Sequence, residues 1–379
     1  MQKRLLASAT VVALAMTAAA TIAAPAYAGG GGGGRTPTAS APVTIATGLV
    51  SPLSLEVDRN RVSYVSQNFA GQLTRVARDG TTSVLASAPG QEISAVSSRD
   101  GVVYFAQLAQ DHSSASLMSV PAAGGTPTPI ADLFAYETSA NPDSGQSYGF
   151  QGLPDDCTAQ FPPAGGMVSP PKYTGLVDTH PYASLALNNA VFVADAGANA
   201  ILRVRYDGTV STIAVLPPQA PIQATAEQLA EIGLPACAAG FDYVAEPVPT
   251  DIEIGPDGWL YVTTLPGGPE DPTLGARGSV YKVNQKSGEV KLVAGGFTTA
   301  TGLAVDPNGT IYVAELFGGP TGSGQISILK RGSTIPVVLA AIASPSAIEV
   351  RSDRLFVTTD SLSEIGAASL SLVEVRWRR

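Results

Sequence analysis

The chain has 379 residues, of which 45% are hydrophobic and 14% charged, with 40 glycines, 29 prolines and a formal net charge of −9. That acidic balance argues against nucleic acid or an anionic membrane as partner, and the hydrophobic fraction excludes a disordered chain. Abundant Gly and Pro with little charge suit many tight turns between strands.

Lys3 and Arg4 precede an apolar run from Leu5 to Ala24, and Ala26-Tyr27-Ala28 is a small-residue cleavage pattern. Residues 1–28 therefore read as a Sec-type signal peptide, and the expected destination is extracellular. Losing Lys3 and Arg4 leaves 20 basic against 31 acidic residues, a net charge of −11. Residues 29–42, six glycines and then a Pro/Thr-containing stretch, read as a flexible leader. No later run is long enough to span a bilayer, so no membrane insertion is expected after cleavage, and a monomer is expected.

From residue 43 onward one unit recurs. The stretch 191–218 states it most clearly: a strand Val191 to Asp195, a turn at Gly197-Ala198-Asn199, a returning strand to Tyr206, the hairpin signal Asp207-Gly208, and a strand Val210 to Leu216. An aromatic, apolar, small triplet marks each copy: Tyr64-Val65-Ser66, Tyr104-Phe105-Ala106, Phe192-Val193-Ala194, Tyr261-Val262-Thr263, Tyr312-Val313-Ala314 and Phe356-Val357-Thr358. Six four-stranded units of this length predict an all-β, six-bladed β-propeller of NHL-like type. The units fall at about 48–90, 91–133, 181–217, 249–297, 298–344 and 345–379, with insertions at 134–180 and 218–248. The last unit lacks its fourth strand, and residues 43–47 supply it, which closes the ring and removes two exposed edges. The triplet aromatics are assigned to packing between blades.

The long insertions all fall in connections from second to third strand or from blade to blade, which lie on one face. That face is the expected binding surface for a small molecule or protein partner. Three sets of residues there or in the channel could carry chemistry. The polar residues ending the second strands, Gln67, Gln107, Asp195, Thr264, Glu315 and Thr359, should ring the loop-bearing face. Glu56, Glu253 and Glu349, at matching positions of the innermost strands with Asp251 nearby and no basic neighbour read in those strands, could hold a calcium ion, which takes hard oxygen ligands. His180 enters blade 3 after Asp178 and could be a general base, although no nucleophile or paired acid is evident; the other histidine, His112, falls in a predicted loop. Cys157 and Cys237 sit in the two largest insertions, and export to an oxidising setting predicts a disulfide between them.

The runs VFVADAGANAILRV (191–204) and IEIGPDGWLYVTTL (252–265), Asp132-Leu133 with Asn141-Pro142-Asp143, and His180-Pro181-Tyr182 resemble the ScyD/ScyE family. These are exported NHL-like propellers named from gene clusters for the pigment scytonemin. The resemblance covers nearly all of the chain after residue 43, implies export and the six-bladed fold, and implies no reaction. The expected function is ligand or partner binding on the loop-rich face without an assigned catalytic activity. The alternatives are a metal-assisted, lactonase-like hydrolase using the acidic channel residues, argued from fold analogy, and a structural cell-envelope protein.

Overall fold

In a computed structural model, which describes residues 37–163, 169–268, 274–319 and 322–377, the six triplets lie on the second strands of six antiparallel sheets. The expected signal peptide, residues 1–28, and the expected leader up to residue 36 lie outside the described residues. The blades occupy 55–87, 91–132, 181–215, 249–297, 300–341 and 348–377, each running from an inner strand near the axis to an outer strand at the rim. Among the described residues no helix is long and apolar enough to cross a membrane.

Alternation along each second strand explains the ring. Tyr64, Tyr104, Phe192, Tyr261, Tyr312 and Phe356 each pack towards the following blade. The apolar residue between aromatic and small residue points to the opposite side: Phe105 joins the cluster between blades 1 and 2, and Val193 the one between blades 2 and 3. Period-two alternation thus gives every blade one face for each neighbour. Hydroxyls tie the inner strands around the axis, with Thr250 Oγ1 donating to the Ala300 carbonyl at 2.9 Å and Thr301 Oγ1 to that of Ser346 at 3.0 Å.

Turn chemistry follows the sequence locally. Asp207 Oδ1 accepts from the Thr209 amide at 3.0 Å, and Gly208 turns at φ +89°. A Cβ on Gly208 would lie 2.8 Å from the Ile130 carbonyl oxygen in blade 2, so this position needs glycine both for its conformation and for the close approach of the neighbouring blade.

The N-terminal strand Val43–Leu49 pairs antiparallel with the last strand, Ala368–Trp377, and closes the ring. Ala46 and Leu49 are buried there against Leu55, Val65, Phe356 and Leu370. The closure extends further than the sequence reading places it: within the expected leader, Pro37–Ala39 forms a second strand on the same partner, Pro37 opposite Trp377 and Ala39 opposite Val375.

The two large insertions are not independent loops. Lys172–Thr174, Ser147–Phe150, Asp242–Val244 and Ile222–Gln223 form a seventh four-stranded sheet, two strands from each insertion. The helix Leu133–Ala140 leads into it, and Ala226–Glu231 carries a capping box between Thr225 and Gln228. Phe150, Leu229 and Ala238 give this module its own small core, into which the Cys157–Cys237 disulfide is built with a Cα separation of 5.7 Å. The bridge spans 80 residues, for which chain entropy gives up to about 4.5 kcal/mol. Replacing both cysteines by serine is expected to open the module while the blades persist. Limited proteolysis should then cut within 134–180 and 218–248 much faster than in the parent, and unchanged cleavage there would show that the bridge does not hold it.

Candidate functional site

The polar residues ending the second strands do not form an open ring. Gln67, Asp195, Thr264, Glu315 and Thr359 are buried. Three of them accept from the backbone that enters their own blade: Gln67 Oε1 from Val50 N at 2.7 Å, Asp195 Oδ1 from His180 N at 2.7 Å, and Glu315 Oε2 from Thr298 N at 2.6 Å. A buried amide at a blade entry needs an acceptor, and the end of the adjacent strand supplies it. Gln107, half-buried, donates to Gln91 Oε1 at 2.5 Å.

Glu56, Glu253 and Glu349 do gather in the channel, but the expectation that they lack a basic neighbour fails. Arg351 lies two residues beyond Glu349 on the strand Ile348–Arg351 and so on the same face. Its Nη1 donates to Glu349 Oε2 at 2.8 Å, and its Nη2 lies 3.5 Å from Glu56 Oε1 and donates to the Val57 carbonyl. Ser98 adds a hydrogen bond to Glu56 at 3.1 Å. Burial and the Glu349 charge push the Glu56 carboxyl up to about 8, and burial with Glu349 raises Glu253 well above the usual carboxylate range. The Arg351 guanidinium thus supplies positive charge to two of the three channel carboxylates. Asp251 joins blades instead, accepting from Leu303 N at 2.7 Å and from Ile252 N at 2.8 Å, and burial raises it to about 7. Among the described residues no three His, Cys, Asp or Glu side chains form a group that could hold a metal ion.

A cavity of about 650 Å³ opens on the tight-turn face between blades 1 and 2, away from the insertions. On its walls Arg59 and Arg99 lie 3.6 and 3.2 Å from Asp100, and Arg351 is held by Glu56 and Glu349.

On the loop-bearing face the chain's only two histidines meet, with ring centroids 4.5 Å apart. His112 sits in the turn between Val102–Ala109 and Ala115–Pro121 of blade 2, in the left-handed region at φ +57°, and His180 directly precedes the inner strand of blade 3. Each ring has its own carboxylate. Asp178 Oδ1 lies 2.8 Å from His112 Nδ1, and Glu92 Oε1 lies 3.2 Å from His180 Nε2. Glu92, only 1% exposed, also accepts from Asn68 Nδ2 at 2.9 Å, so blades 1, 2 and 3 and the first insertion all contribute. The histidine side chains remain 26% and 23% exposed and can meet a ligand.

Burial opposes the charge on His180, but Glu92, Asp178 and Asp195 outweigh it and raise its pKa to about 9. Burial likewise works against the Glu92 and Asp178 carboxylates and is outweighed, by the His180 charge and the His112 hydrogen bond respectively, so both stay below their ordinary values. Asp178 accepts at His112 Nδ1, which leaves the lone pair of that ring on Nε2. The arrangement can hold a proton on one ring and take one up on the other. His112, Glu92 and the partnership of Asp178 were not picked out in the sequence. The rarity of histidine was the available signal, but the contact depends on how two loops of adjacent blades lie.

No family model and no curated protein matches the chain. Solved structures with this architecture do. A putative oxidoreductase (glucose dehydrogenase) from Thermus thermophilus is 13% identical with a TM-score of 0.53, covering 88% of this chain and 99% of its own. The PQQ-bound aldose sugar dehydrogenase of Streptomyces coelicolor is 14% identical with a TM-score of 0.51 over 90% and 99%. A gluconolactonase from Xanthomonas campestris is 12% identical with a TM-score of 0.50 over 88% and 89%. The likeness is one of fold.

Proposed function

We propose that this chain is an exported β-propeller that binds a small ligand at the loop-bearing mouth and moves a proton on it, with His112 as base and His180 as acid. The observation that supports this reading is the ring contact between the only two histidines, each on its own carboxylate. A general base must be oriented with a free lone pair, and Asp178 gives His112 that orientation. The positive charge that Glu92 sustains on His180 lies beside it, where negative charge developing on an oxygen would be stabilised.

Hydrolysis of a lactone or other small ester is the reaction class this pair serves with water as the one co-reactant. Water adds to the acyl carbon as His112 takes its proton, the acyl C–O bond breaks, and the leaving oxygen is protonated. The Xanthomonas structure of this fold is described as a gluconolactonase, which agrees with the class. In such a hydrolase the histidines, not the acidic channel residues, carry the reaction. The ScyD/ScyE resemblance supports an exported propeller and favours a second reading, ligand or partner binding without turnover.

The test is turnover of a panel of lactones and aryl esters by the mature chain. His112→Ala is expected to lower kcat by about 10²–10⁴-fold with little change in melting temperature. His180→Gln should lower kcat and remove the alkaline limb of the pH profile. Saturable binding without turnover, unaltered by His112→Ala, would overturn the catalytic assignment in favour of the second reading.

A further inference from the structure

We infer that the first insertion holds a divalent cation of the calcium class, with Glu137, Asn141 and Asp143 as its side-chain ligands. Four side-chain oxygens in this seven-residue stretch are buried with no hydrogen-bond donor in good geometry, both of Glu137, Oδ1 of Asn141 and Oδ1 of Asp143, and the donor that approaches Glu137 is the Asp178 amide. Glu137 and Asp143 are each only 1% exposed. Buried acceptors are as a rule satisfied, so a concentration of bare oxygens marks something that supplies positive charge.

Local structure explains how the three come together and why their other atoms are already used. The helix Leu133–Ala140 starts at Asp132, whose Oδ1 accepts from Ala135 N at 2.8 Å. It ends at Asn141, left-handed at φ +33°, whose amide bonds to the Glu137 carbonyl at 2.8 Å. The three residues therefore lie in and just past the last turn of a helix, where the free carbonyls favour a cation. Asn141 spends its Nδ2 on the Gly175 carbonyl at 3.2 Å, and Asp143 Oδ2 accepts from Asn199 Nδ2 at 2.9 Å and Tyr148 OH at 3.1 Å. Gly175 packs directly against Asp143, since a Cβ there would lie 2.0 Å from Oδ1, so any side chain at this position would displace that oxygen.

Charge points the same way. Glu137 also feels the negative charge of Asp195, Asp143 and Asp178. Among the described residues no Lys or Arg forms an ion pair with Glu137, Asp143 or Asp195. The channel carboxylates, by contrast, have Arg351. Two carboxylates and an amide oxygen are hard ligands of the kind calcium takes, and its irregular, high coordination number leaves the remainder to backbone carbonyls and water. A bound ion would pin the start of the insertion over blade 3, and its presence does not depend on whether the histidines catalyse. The competing occupant is a proton on Glu137.

The mature chain, stripped with EDTA, is titrated with terbium, whose emission Tyr148 would sensitise through its contact with Asp143. Saturable emission from about one ion per chain, displaced by calcium, is expected. Glu137→Gln and Asp143→Asn should each weaken terbium binding by about tenfold or more, and calcium should raise the melting temperature of the parent but not of these variants. Glu349→Gln, in the channel, should bind as the parent does. Absence of saturable emission together with equal melting in calcium and EDTA would overturn the inference and leave the proton as occupant. Terbium binding that survives both substitutions would overturn it as well.

Discussion

Deleting residues 37–49 is expected to abolish cooperative unfolding rather than lower its midpoint. The deletion removes both strands that cover Ala368–Trp377, so blade 6 loses its outer edge and the ring its closure. Leu49, buried with Leu55, Phe356 and Leu370, is alone worth about 2–5 kcal/mol when truncated to alanine. A domain has only about 5–15 kcal/mol in total, so losing a whole paired strand exceeds what it can spare. The bare edge left on blade 6 would also present free strand groups for pairing with other chains. Leu49→Ala should still unfold cooperatively, at a lower temperature. Circular dichroism melts of the two variants check this. A deletion variant that unfolds cooperatively within a few degrees of the parent would show that the ring does not need its seam.

Closure of this kind was legible because it rests on local repetition. Each blade writes aromatic, apolar and small residues along its second strand, and polar or Gly-containing turns separate the strands, so counting strands exposed the one missing from the last unit. The strand Pro37–Ala39 was not legible, since Pro-Thr-Ala has no strand pattern of its own and pairs because Trp377 and Val375 offer an edge. The seventh sheet was hidden for a similar reason: its strands are two to four residues long, too short for periodicity to register. Its helices did carry signals, with Asp132 before Leu133–Ala140 and Thr225 with Gln228 three residues on. Arg351 was also visible, as residues i and i+2 of a strand share a face, and reading it would have removed the picture of an unpaired acidic channel. The histidine pair lies on another level. His112 and His180 belong to loops of adjacent blades, and only the packing of the ring brings them into contact.

Thermal stability in EDTA is expected to fall steadily from about pH 5 to about pH 9, opposite to a protein held by salt-bridged carboxylates. The folded chain holds Glu56 up at about 8, Asp251 at about 7 and Glu253 well above its ordinary value, all chiefly through burial. Between the ordinary carboxylate range and these values the folded state carries protons that the unfolded state has released. Stability therefore falls with rising pH, by about 1.4 kcal/mol per pH unit for each such proton. His180 acts in the same direction for the opposite chemical reason. Facing Glu92, Asp178, Asp195 and the His112 ring, it stays charged up to about 9, so its contribution is complete below the ordinary histidine value and is lost as pH rises through 9. On the acid side Glu92, held below its ordinary value by His180, loses its contribution as pH falls through its folded value, which places the maximum in mild acid. Two substitutions separate the parts. Glu253→Gln copies the protonated acid among Glu349, Asp251 and Arg351, and should stabilise the chain at pH 8 while leaving it nearly unchanged at pH 5. His180→Gln should flatten the segment between about pH 6.5 and pH 9. Melting temperatures that stay level or rise from pH 5 to pH 9 would mean that these buried groups are ionised in the folded chain, and that Arg351 neutralises the channel more fully than its contacts imply.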